Sequence, residues 1–382
     1  MENQCSSILR VRAGVKMTNP TKLTRRSLLA GLASGAPTRY PIFRAQGTHR
    51  ELGRQHGEQA ASRIHAHLDY MGASMKMSRA SIRKRALRFK PLCEKYCPHL
   101  LEEIQGLAEG ASIALEEAMA VNLRGELGQV KEEGCTTYVI SRKGTARRQI
   151  LIGQNSDMTS PMIDFGYVLH LKPANKPEVL IWTFGGMLGY HGMNSAGVAH
   201  FANALGGGPK GQFALSHYPV KRMMLESTSL KEVAKLLRTV PVASNGNYVL
   251  CDGSGRILDA EATTEGPKLI EEGGSGFLAH TNHFLSEPYN SRQNYEQSIP
   301  DSFPRLERIN TLIRERMGKV TVDDVKAFLR DHSGHPSSIC RHPSSSDAVG
   351  MTVASLISEP AERRMHVAIG PPCQHEYVTY SM

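Results

Sequence analysis

The sequence has 382 residues, of which 40% are apolar, so it is long enough for one large or two ordinary domains of a soluble globular protein. Its seven cysteines are odd in number and widely scattered, which argues against a disulfide framework. The net charge of +10 arises in the first 90 residues, which hold 18 Lys and Arg against 4 Asp and Glu, but no basic–aromatic interleaving or nucleic-acid module accompanies it. We therefore expect no nucleic-acid partner.

Residues 1–38 differ in composition from the rest of the chain. Arg25-Arg26 followed by an apolar, Ala- and Gly-rich stretch resembles a twin-arginine export signal. The alternative is a disordered basic leader on a cytoplasmic protein, and the sequence leaves export or a cytoplasmic location open. No run approaches the roughly 18 apolar residues of a membrane span, so none is expected.

Residues 39–134 are predicted to be almost entirely helical. A helical stretch begins near Arg50 and continues to about residue 90, and Pro98 allows a new helix with apolar residues three and four apart. From Cys135 onward the pattern changes to short β-like runs. We therefore divide the chain into a leader, 1–38, a helical region, 39–134, and a strand-rich region, 135–382.

The strand-rich region alternates short apolar runs with turn signals. Strands are predicted over 136–141, 149–153, 166–171, 179–183, 197–202, 248–251, 257–260 and 276–280. Helices are predicted over 221–237, 303–317 and 322–331. Strand runs interrupted by helices indicate an α+β protein whose stacked sheets lie between helical layers.

The most informative stretch is Gly-Cys-Thr-Thr at 134–137, which leads into the first of these strands. The second strand run ends near Asp157, so a hairpin would return this carboxylate to Cys135. Such an arrangement is typical of an enzyme that cuts its own chain before the cysteine and then uses the thiol with the freed α-amine as base. Gly134 would tolerate a strained backbone at the cut. The alternative is a buried structural cysteine.

Three later side chains are candidate site residues. Asn203 precedes a glycine-rich loop and Asn282 follows the strand at 276–280, and either amide can stabilise a developing oxyanion. The alternative for both is an ordinary turn or strand-end residue. Arg305 begins a helix and either projects toward the site or lies in solvent, and taken alone the solvated position is favoured.

The sequence predicts no metal site. Cys93 and Cys97 share a helix face but have no matching Cys or His pair nearby. His280 and His283 have no acidic partner at helical spacing.

Nine short stretches occur in the order seen in a known family. They are E-L-G and H-G within 51–57, E-I-Q-G at 103–106, G-C-T-T at 134–137, G-Q-N-S-D at 153–157, G-M-N-S-A-G at 192–197, T-N-H at 281–283, S-F-P-R at 302–305, S-I-C-R-H at 338–342 and G-P-P-C at 370–373. From about Tyr40 to its end the chain thus resembles the acyl-coenzyme A:6-aminopenicillanic acid (isopenicillin N) acyltransferase family of cysteine N-terminal nucleophile hydrolases.

The resemblance implies a four-layer αββα fold and a precursor that cuts itself between Gly134 and Cys135. The α chain would be the pro-region 39–134 and the β chain 135–382, and the two would stay associated. No cofactor is implied. Related bile-salt and penicillin V hydrolases carry Arg where Gln154 stands, so the chain follows the acyltransferase branch there.

The resemblance also implies roles for the candidate residues. Cys135 would be the nucleophile and, through its α-amine, the base, and Asp157 would orient that amine. Asn282 would donate its side-chain amide to the oxyanion, Asn203 would be a second contributor, and Arg305 would organise the polar site.

The leading hypothesis is a self-processing cysteine amidohydrolase or acyltransferase that forms a thioester acyl-enzyme on Cys135. Its partner would be a small-molecule amide or an acyl-CoA. Within this class the rivals are acyl-CoA-dependent transfer and hydrolysis of N-acyl or β-alanyl amines without acyl-CoA. From another class, the chain would be an uncleaved, non-catalytic binding module, but such a module does not need Asp157 and Asn282 beside Cys135.

Overall fold

The computed structural model describes residues 39–128, 134–292, 295, 298–344 and 350–382, and the leader predicted over 1–38 lies outside them. The helices of the described part are α1 (His49–Met75), α2 (Arg79–Leu87), α3 (Lys90–Tyr96), α4 (Pro98–Ala111), α5 (Leu115–Val121), α6 (Arg124–Leu127), α7 (Met162–Phe165), α8 (His217–Met224), α9 (Leu230–Thr239), α10 (Ser302–Glu315) and α11 (Val322–Leu329). None of these helices is long and apolar enough to cross a bilayer.

The strands form two sheets. In chain order they are β1 (Ile42–Gly47), β2 (Cys135–Ile140), β3 (Leu151–Thr159), β4 (Gly166–Pro173), β5 (Val179–Phe184), β6 (His191–Asn194), β7 (Ala199–Ala204), β8 (Gly246–Cys251), β9 (Ile257–Thr263), β10 (Gly266–Ile270), β11 (Phe277–His280), β12 (Gly350–Glu359), β13 (Arg364–Ile369) and β14 (Val378–Ser381). One sheet has the order β1-β4-β5-β6-β7-β8-β9-β10, with β1 parallel to β4. The second, antiparallel sheet has the order β11-β2-β3-β12-β13-β14.

Side-chain alternation along the strands creates three large apolar cores between successive layers, so the described part has four layers. Leu169 of β4 packs in the core that includes α1 and α4, whereas its neighbour Val168 packs in the core between the sheets. Val139 of β2 belongs to this middle core, and its neighbour Tyr138 packs in the core that includes α10 and α11. The order helices, sheet, sheet, helices confirms the predicted αββα fold.

Helices α1 and α4 cross closely because glycines line their contact. A Cβ built on Gly53 would lie 1.8 Å from the backbone O of Glu103, and one on Gly106 would lie 2.0 Å from the backbone O of Arg50. No side chain fits at such distances. Two of the family-like stretches therefore serve the packing of the helical layer.

The structure differs from the sequence expectations in several elements. The region expected to be almost all helix begins with β1, which pairs with β4. The single helix expected over 221–237 is divided into α8 and α9, because Ser229 caps α9 and Asn194 Nδ2 donates to the carbonyls of Leu225 and Ser227 between the two helices. Strands β6, β10, β12, β13 and β14 were not predicted. The division of the chain at a cut after Gly134 remains a prediction.

Candidate active site

The pairing of β2 with β3 places Cys135 beside Asp157. Cys135 is the first residue of β2 and stands opposite Ser156 of β3. One step further, the backbone N–H of Asp157 donates to the carbonyl of Gly134 at 3.0 Å. The carbonyl before Cys135, which self-cleavage would attack, is therefore held by a backbone donor.

Gly134 is required by a close contact. A Cβ at this position would lie 2.7 Å from Arg305 Nη2 and 3.0 Å from Arg341 Nη1, so two guanidinium groups occupy the space that a side chain would need. The backbone strain expected at Gly134 from the sequence remains a prediction.

Asn282 contacts the backbone nitrogen of Cys135. It follows the end of β11, and its Oδ1 accepts from Cys135 N–H at 2.9 Å and from Arg305 Nη2 at 2.9 Å. Its Nδ2 donates to the carbonyl of Ala204 at 3.0 Å. Two donors on one side and an acceptor on the other fix the orientation of this amide. In the uncut chain the Asn282 oxygen, and not its nitrogen, therefore faces Cys135.

Arg305 is buried in the site, so the solvated position favoured by the sequence alone was wrong. It is 1% exposed, and its Nη1 donates to the carbonyl of Cys135 at 2.6 Å. Its Nε donates to Asp301 Oδ2 at 3.0 Å. Burial opposes ionisation of Asp301, but the charges of Arg305 and Arg341 outweigh it and hold the pKa of this carboxyl below its ordinary value.

Asn203 holds the same carbonyl as Arg305. Its Nδ2 donates to Cys135 O at 3.1 Å, and its Oδ1 accepts from Asn247 Nδ2 at 3.5 Å. Because β7 and β8 carry these two asparagines, side chains of the first sheet reach across to β2 of the second. The structure thus brings Cys135, Asn203, Asn282 and Arg305 into one hydrogen-bonded group.

Only one of the two carboxyl oxygens of Asp157 has a hydrogen-bond partner among the described residues. Its side chain is fully buried, Oδ1 accepts from Thr352 Oγ1 at 2.7 Å, and Oδ2 has no hydrogen-bond partner among the described residues. Burial raises its pKa to about 7, although the charges of Arg341 and Arg305 act in the opposite direction. Asp157 Oδ2 can therefore accept a hydrogen bond from one further donor.

Sequence analysis missed Arg341 and Thr352, which complete the surroundings of Asp157. The backbone N–H of Arg341 donates to Thr352 Oγ1 at 3.0 Å, and this hydroxyl in turn donates to Asp157. Arg341 lies within the S-I-C-R-H stretch, which could have indicated it. Thr352 lies on β12, which was not predicted, so nothing in the sequence pattern placed it beside β3.

The raised pKa of Asp157 predicts a pH-dependent stability for the uncut chain. Its unfolded-state pKa is near ~3.9, so between pH ~4 and ~7 the folded state keeps a proton that the unfolded state has lost. In Cys135→Ala protein, we expect this carboxyl to lower the free energy of unfolding by roughly 4 kcal/mol as the pH rises through that window.

The measurement is urea unfolding of Cys135→Ala and of Cys135→Ala/Asp157→Asn at several pH values. The second protein lacks the titrating carboxyl and should show a flatter stability profile over the same pH range. Parallel profiles for the two proteins would contradict the raised pKa.

A cavity of about 870 Å³ opens at this group of residues. Cys135, Asp157, Asn203, Asn282 and Arg305 all line it. Its size is that of a site for a small molecule. Residues of the helical region also contribute to its wall, including Arg85, Arg88 and Phe89.

Three other polar residues near the site have structural partners. His280 Nε2 lies 3.0 Å from Glu261 Oε1, and His283 Nδ1 lies 2.7 Å from Ser302 Oγ, so neither histidine points to a shared ion. Gln154 is fully buried, and its Oε1 accepts from the backbone N–H of Ala202 at 3.1 Å. Gln154 therefore joins β3 to β7 and does not line the cavity.

Comparison with known proteins identifies the family. A sequence model described as acyl-coenzyme A:6-aminopenicillanic acid acyl-transferase matches residues 142–374, which is more than half of the chain. A curated relative, the 40 kDa form of acyl-coenzyme A:6-aminopenicillanic-acid-acyltransferase from Emericella nidulans, is 27% identical over 337 residues, which cover 86% of this chain and 92% of the relative.

Two solved structures are similar to this chain at low identity. A variant of conjugated bile acid hydrolase from Clostridium perfringens has a TM-score of 0.41 and 11% identity, covering 64% of this chain and 97% of that chain. Penicillin V acylase from Agrobacterium tumefaciens has a TM-score of 0.41 and 11% identity, covering 62% of this chain and 83% of that chain. The family assignment rests on the sequence matches: the chain belongs to the acyl-coenzyme A:6-aminopenicillanic acid acyltransferase family.

Proposed function

We propose that this enzyme cuts its own chain between Gly134 and Cys135 and then transfers or hydrolyses acyl groups through a thioester on Cys135. The observation that carries the proposal is the convergence of side chains on the backbone of one residue. Asn282 accepts the N–H of Cys135, while Arg305 and Asn203 donate to its carbonyl. A structural cysteine does not need buried polar groups on both sides of its peptide.

Self-cleavage begins with attack of the Cys135 thiol on the carbonyl carbon of Gly134. The C–S bond forms, the C–N bond breaks, and the nitrogen leaves with a proton as the α-amine of Cys135. Negative charge develops on Gly134 O, where the Asp157 N–H donates at 3.0 Å. Water then hydrolyses the thioester, which releases the Gly134 carboxylate and the thiol.

The freed α-amine then serves as base for turnover. Its ordinary pKa is about 7.7–8.0, so a neutral fraction is present near pH 7. Asp157 Oδ2, which lacks a partner among the described residues, would accept a hydrogen bond from this amine and orient it. The amine takes the proton of the Cys135 thiol as the sulfur attacks the substrate carbonyl, and returns it to the leaving group.

Asn282 would supply the oxyanion donor in turnover. Its Nδ2 carries two hydrogens, and the bond to Ala204 O uses one of them. The second is available to an oxyanion in the cavity that Asn282 and Cys135 line. Asn203 would contribute indirectly, because it fixes the carbonyl of Cys135 and with it the position of the nucleophile.

Linear amides and thioesters are the proposed substrate class, and the cavity wall favours acyl-CoA as a donor. Arg88 and Arg85 line the cavity, where a coenzyme A phosphate would meet positive charge. The curated relative is named as an acyltransferase that uses acyl-coenzyme A. The second candidate is hydrolysis of N-acyl or β-alanyl amines, for which the cationic wall has no evident use.

The test compares acyl-CoA consumption in the presence of an amine acceptor and in water alone, with an N-acyl amine as the competing substrate. If coenzyme A is the donor, Arg88→Gln should raise the KM for acyl-CoA by about tenfold, which corresponds to one lost charge-assisted contact. Arg83→Gln is the matched control, because Arg83 is exposed and does not line the cavity. If the protein hydrolyses the N-acyl amine rapidly and consumes no acyl-CoA, the result would favour the second candidate.

A further inference from the structure

Four metal-ligating side chains meet beside the start of β12 and the end of β13 in the second sheet, and none of them lines the cavity. His332 follows α11, Cys340 and His342 precede β12, and Cys373 follows β13. Their ligand atoms all lie within 4.8 Å of one another. Three separate segments of the chain therefore contribute to one cluster, which we call the Cys2His2 cluster.

Four of the six distances between ligand atoms of the cluster are close to the edges of a tetrahedron. Cys340 Sγ lies 3.7 Å from Cys373 Sγ and 3.6 Å from His342 Nε2, which is itself 3.2 Å from Cys373 Sγ. His332 Nε2 lies 3.0 Å from His342 Nε2. A tetrahedral zinc ion with Zn–S of about 2.3 Å and Zn–N of about 2.0–2.1 Å has edges of roughly 3.8 Å between sulfurs, 3.5 Å between sulfur and nitrogen and 3.3 Å between nitrogens.

We propose that His332, Cys340, His342 and Cys373 bind a zinc ion. Two thiolates and two imidazoles form one of the ligand sets of structural zinc sites, and four protein ligands leave no open position for substrate. The thiolates also exclude magnesium and calcium, which prefer oxygen ligands. Each thiol loses its proton when it coordinates the ion, so binding releases protons.

The surroundings of the cluster suit this ion. Cys340 is fully buried and would close the inner side of the site. His332 and Cys373 are exposed and leave a path for the ion from solvent.

A disulfide between the two cysteines is the competing interpretation. A disulfide has an S–S distance of about 2.05 Å, and it would leave both histidines without a role. The sulfurs are 3.7 Å apart, and His342 contacts both of them. The cluster geometry therefore favours a shared ion over a direct bond.

The ion would hold the segment that carries Arg341. This residue stands between Cys340 and His342, and its backbone N–H donates to Thr352, which donates to Asp157. Its guanidinium lies 3.6 Å from Asp301 Oδ2. Zinc binding would thus restrict the backbone at Arg341, whose N–H contacts Thr352 and whose guanidinium contacts Asp301. The ion itself would touch no reacting atom.

The test measures bound metal in the full chain, produced without a histidine tag in zinc-supplemented medium and purified under reducing conditions. Elemental analysis should find about one zinc per chain in the wild type. Cys373→Ser and His332→Gln should lose most of it. His375→Gln is the matched control, because it removes a histidine two residues from Cys373 that is not in the cluster.

A second measurement does not depend on the variants. The wild-type protein stripped of metal should take up cobalt(II) and show the absorption of tetrahedral thiolate-ligated cobalt, and zinc should displace it. Zinc removal should also lower the melting temperature of the wild type and of His375→Gln, but not that of Cys373→Ser.

Three results would overturn the proposal. One is a wild-type chain that binds neither zinc nor cobalt. Another is equal zinc in all four proteins, which would place the ion elsewhere. The third is a metal-free protein in which peptide mapping finds Cys340 and Cys373 joined by a disulfide.

Discussion

Replacing Cys135 with alanine is expected to reduce turnover by roughly 10⁵- to 10⁶-fold, the cost of removing a nucleophile from a covalent mechanism. In the proposed mechanism the change removes the sulfur that forms the acyl-enzyme. It would also prevent the proposed self-cleavage that frees the α-amine, so the base would be lost with the nucleophile. The measurement is single-turnover and steady-state kinetics with an acyl thioester and an N-acyl amine.

Cys251→Ala is the matched control for this prediction. Cys251 is also fully buried on a strand, but it does not line the cavity. Its loss should cost some stability and leave turnover within a few-fold of wild type, since only packing changes. Turnover in Cys135→Ala comparable to that of Cys251→Ala would show that the reaction does not pass through Cys135.

Replacing Arg305 with methionine is expected to destabilise the protein by about 3–5 kcal/mol, because a buried ion pair is broken on one side only. Arg305 is 1% exposed and its guanidinium bonds Asp301, Asn282 Oδ1 and the carbonyl of Cys135. Methionine fills part of the volume but leaves these acceptors without that donor. Self-cleavage should slow as well, because the carbonyl of Cys135 and Oδ1 of Asn282 lose the hydrogen-bond donor that they share.

Arg308→Met supplies the comparison within the same helix. Arg308 also pairs with an aspartate, Asp331, but its side chain is 35% exposed. A partly solvated pair contributes about 0–1 kcal/mol, so this variant should be close to wild type in chemical denaturation. Asp301→Asn added to Arg305→Met should recover part of the lost stability, because it removes a carboxylate that has lost Arg305 and keeps only Arg341, at 3.6 Å, as a cationic partner. Equal destabilisation by Arg305→Met and Arg308→Met would contradict the buried role of Arg305.

Local patterns indicated stacked sheets between helical layers, and the family resemblance implied the four-layer fold and the candidate residues. The structure confirms the layers, whereas the roles of the residues remain predictions. Short apolar runs between turn signals indicated most of the strands around Cys135, and the stretch at 281–283 pointed to Asn282. Local patterns cannot show which side of an amide faces a partner. In the structure, the oxygen of Asn282 accepts from Cys135 and Arg305, an orientation that only the assembled network decides.

The features that the sequence did not reveal depend on contacts between distant segments. The local sequence pattern alone places Arg305 on a solvated helix face. Its burial follows only from the docking of α10 against the start of β2, where Cys135 lies. Thr352 lies on β12, whose mixture of small, polar and apolar residues gave no clear strand signal. The Cys2His2 cluster combines ligands up to 41 positions apart, from His332 to Cys373, with none of the regular spacing of a zinc finger.

Intact-mass analysis of the purified protein, beside Cys135→Ala, tests the central claim most directly. We expect the wild type to consist of two chains that meet between Gly134 and Cys135 and remain together through native chromatography, and the variant to be one chain. That result would establish Cys135 as a new N-terminus, with its thiol and α-amine in the cavity. A wild-type protein that stays uncut yet turns over substrate at full rate would contradict the account.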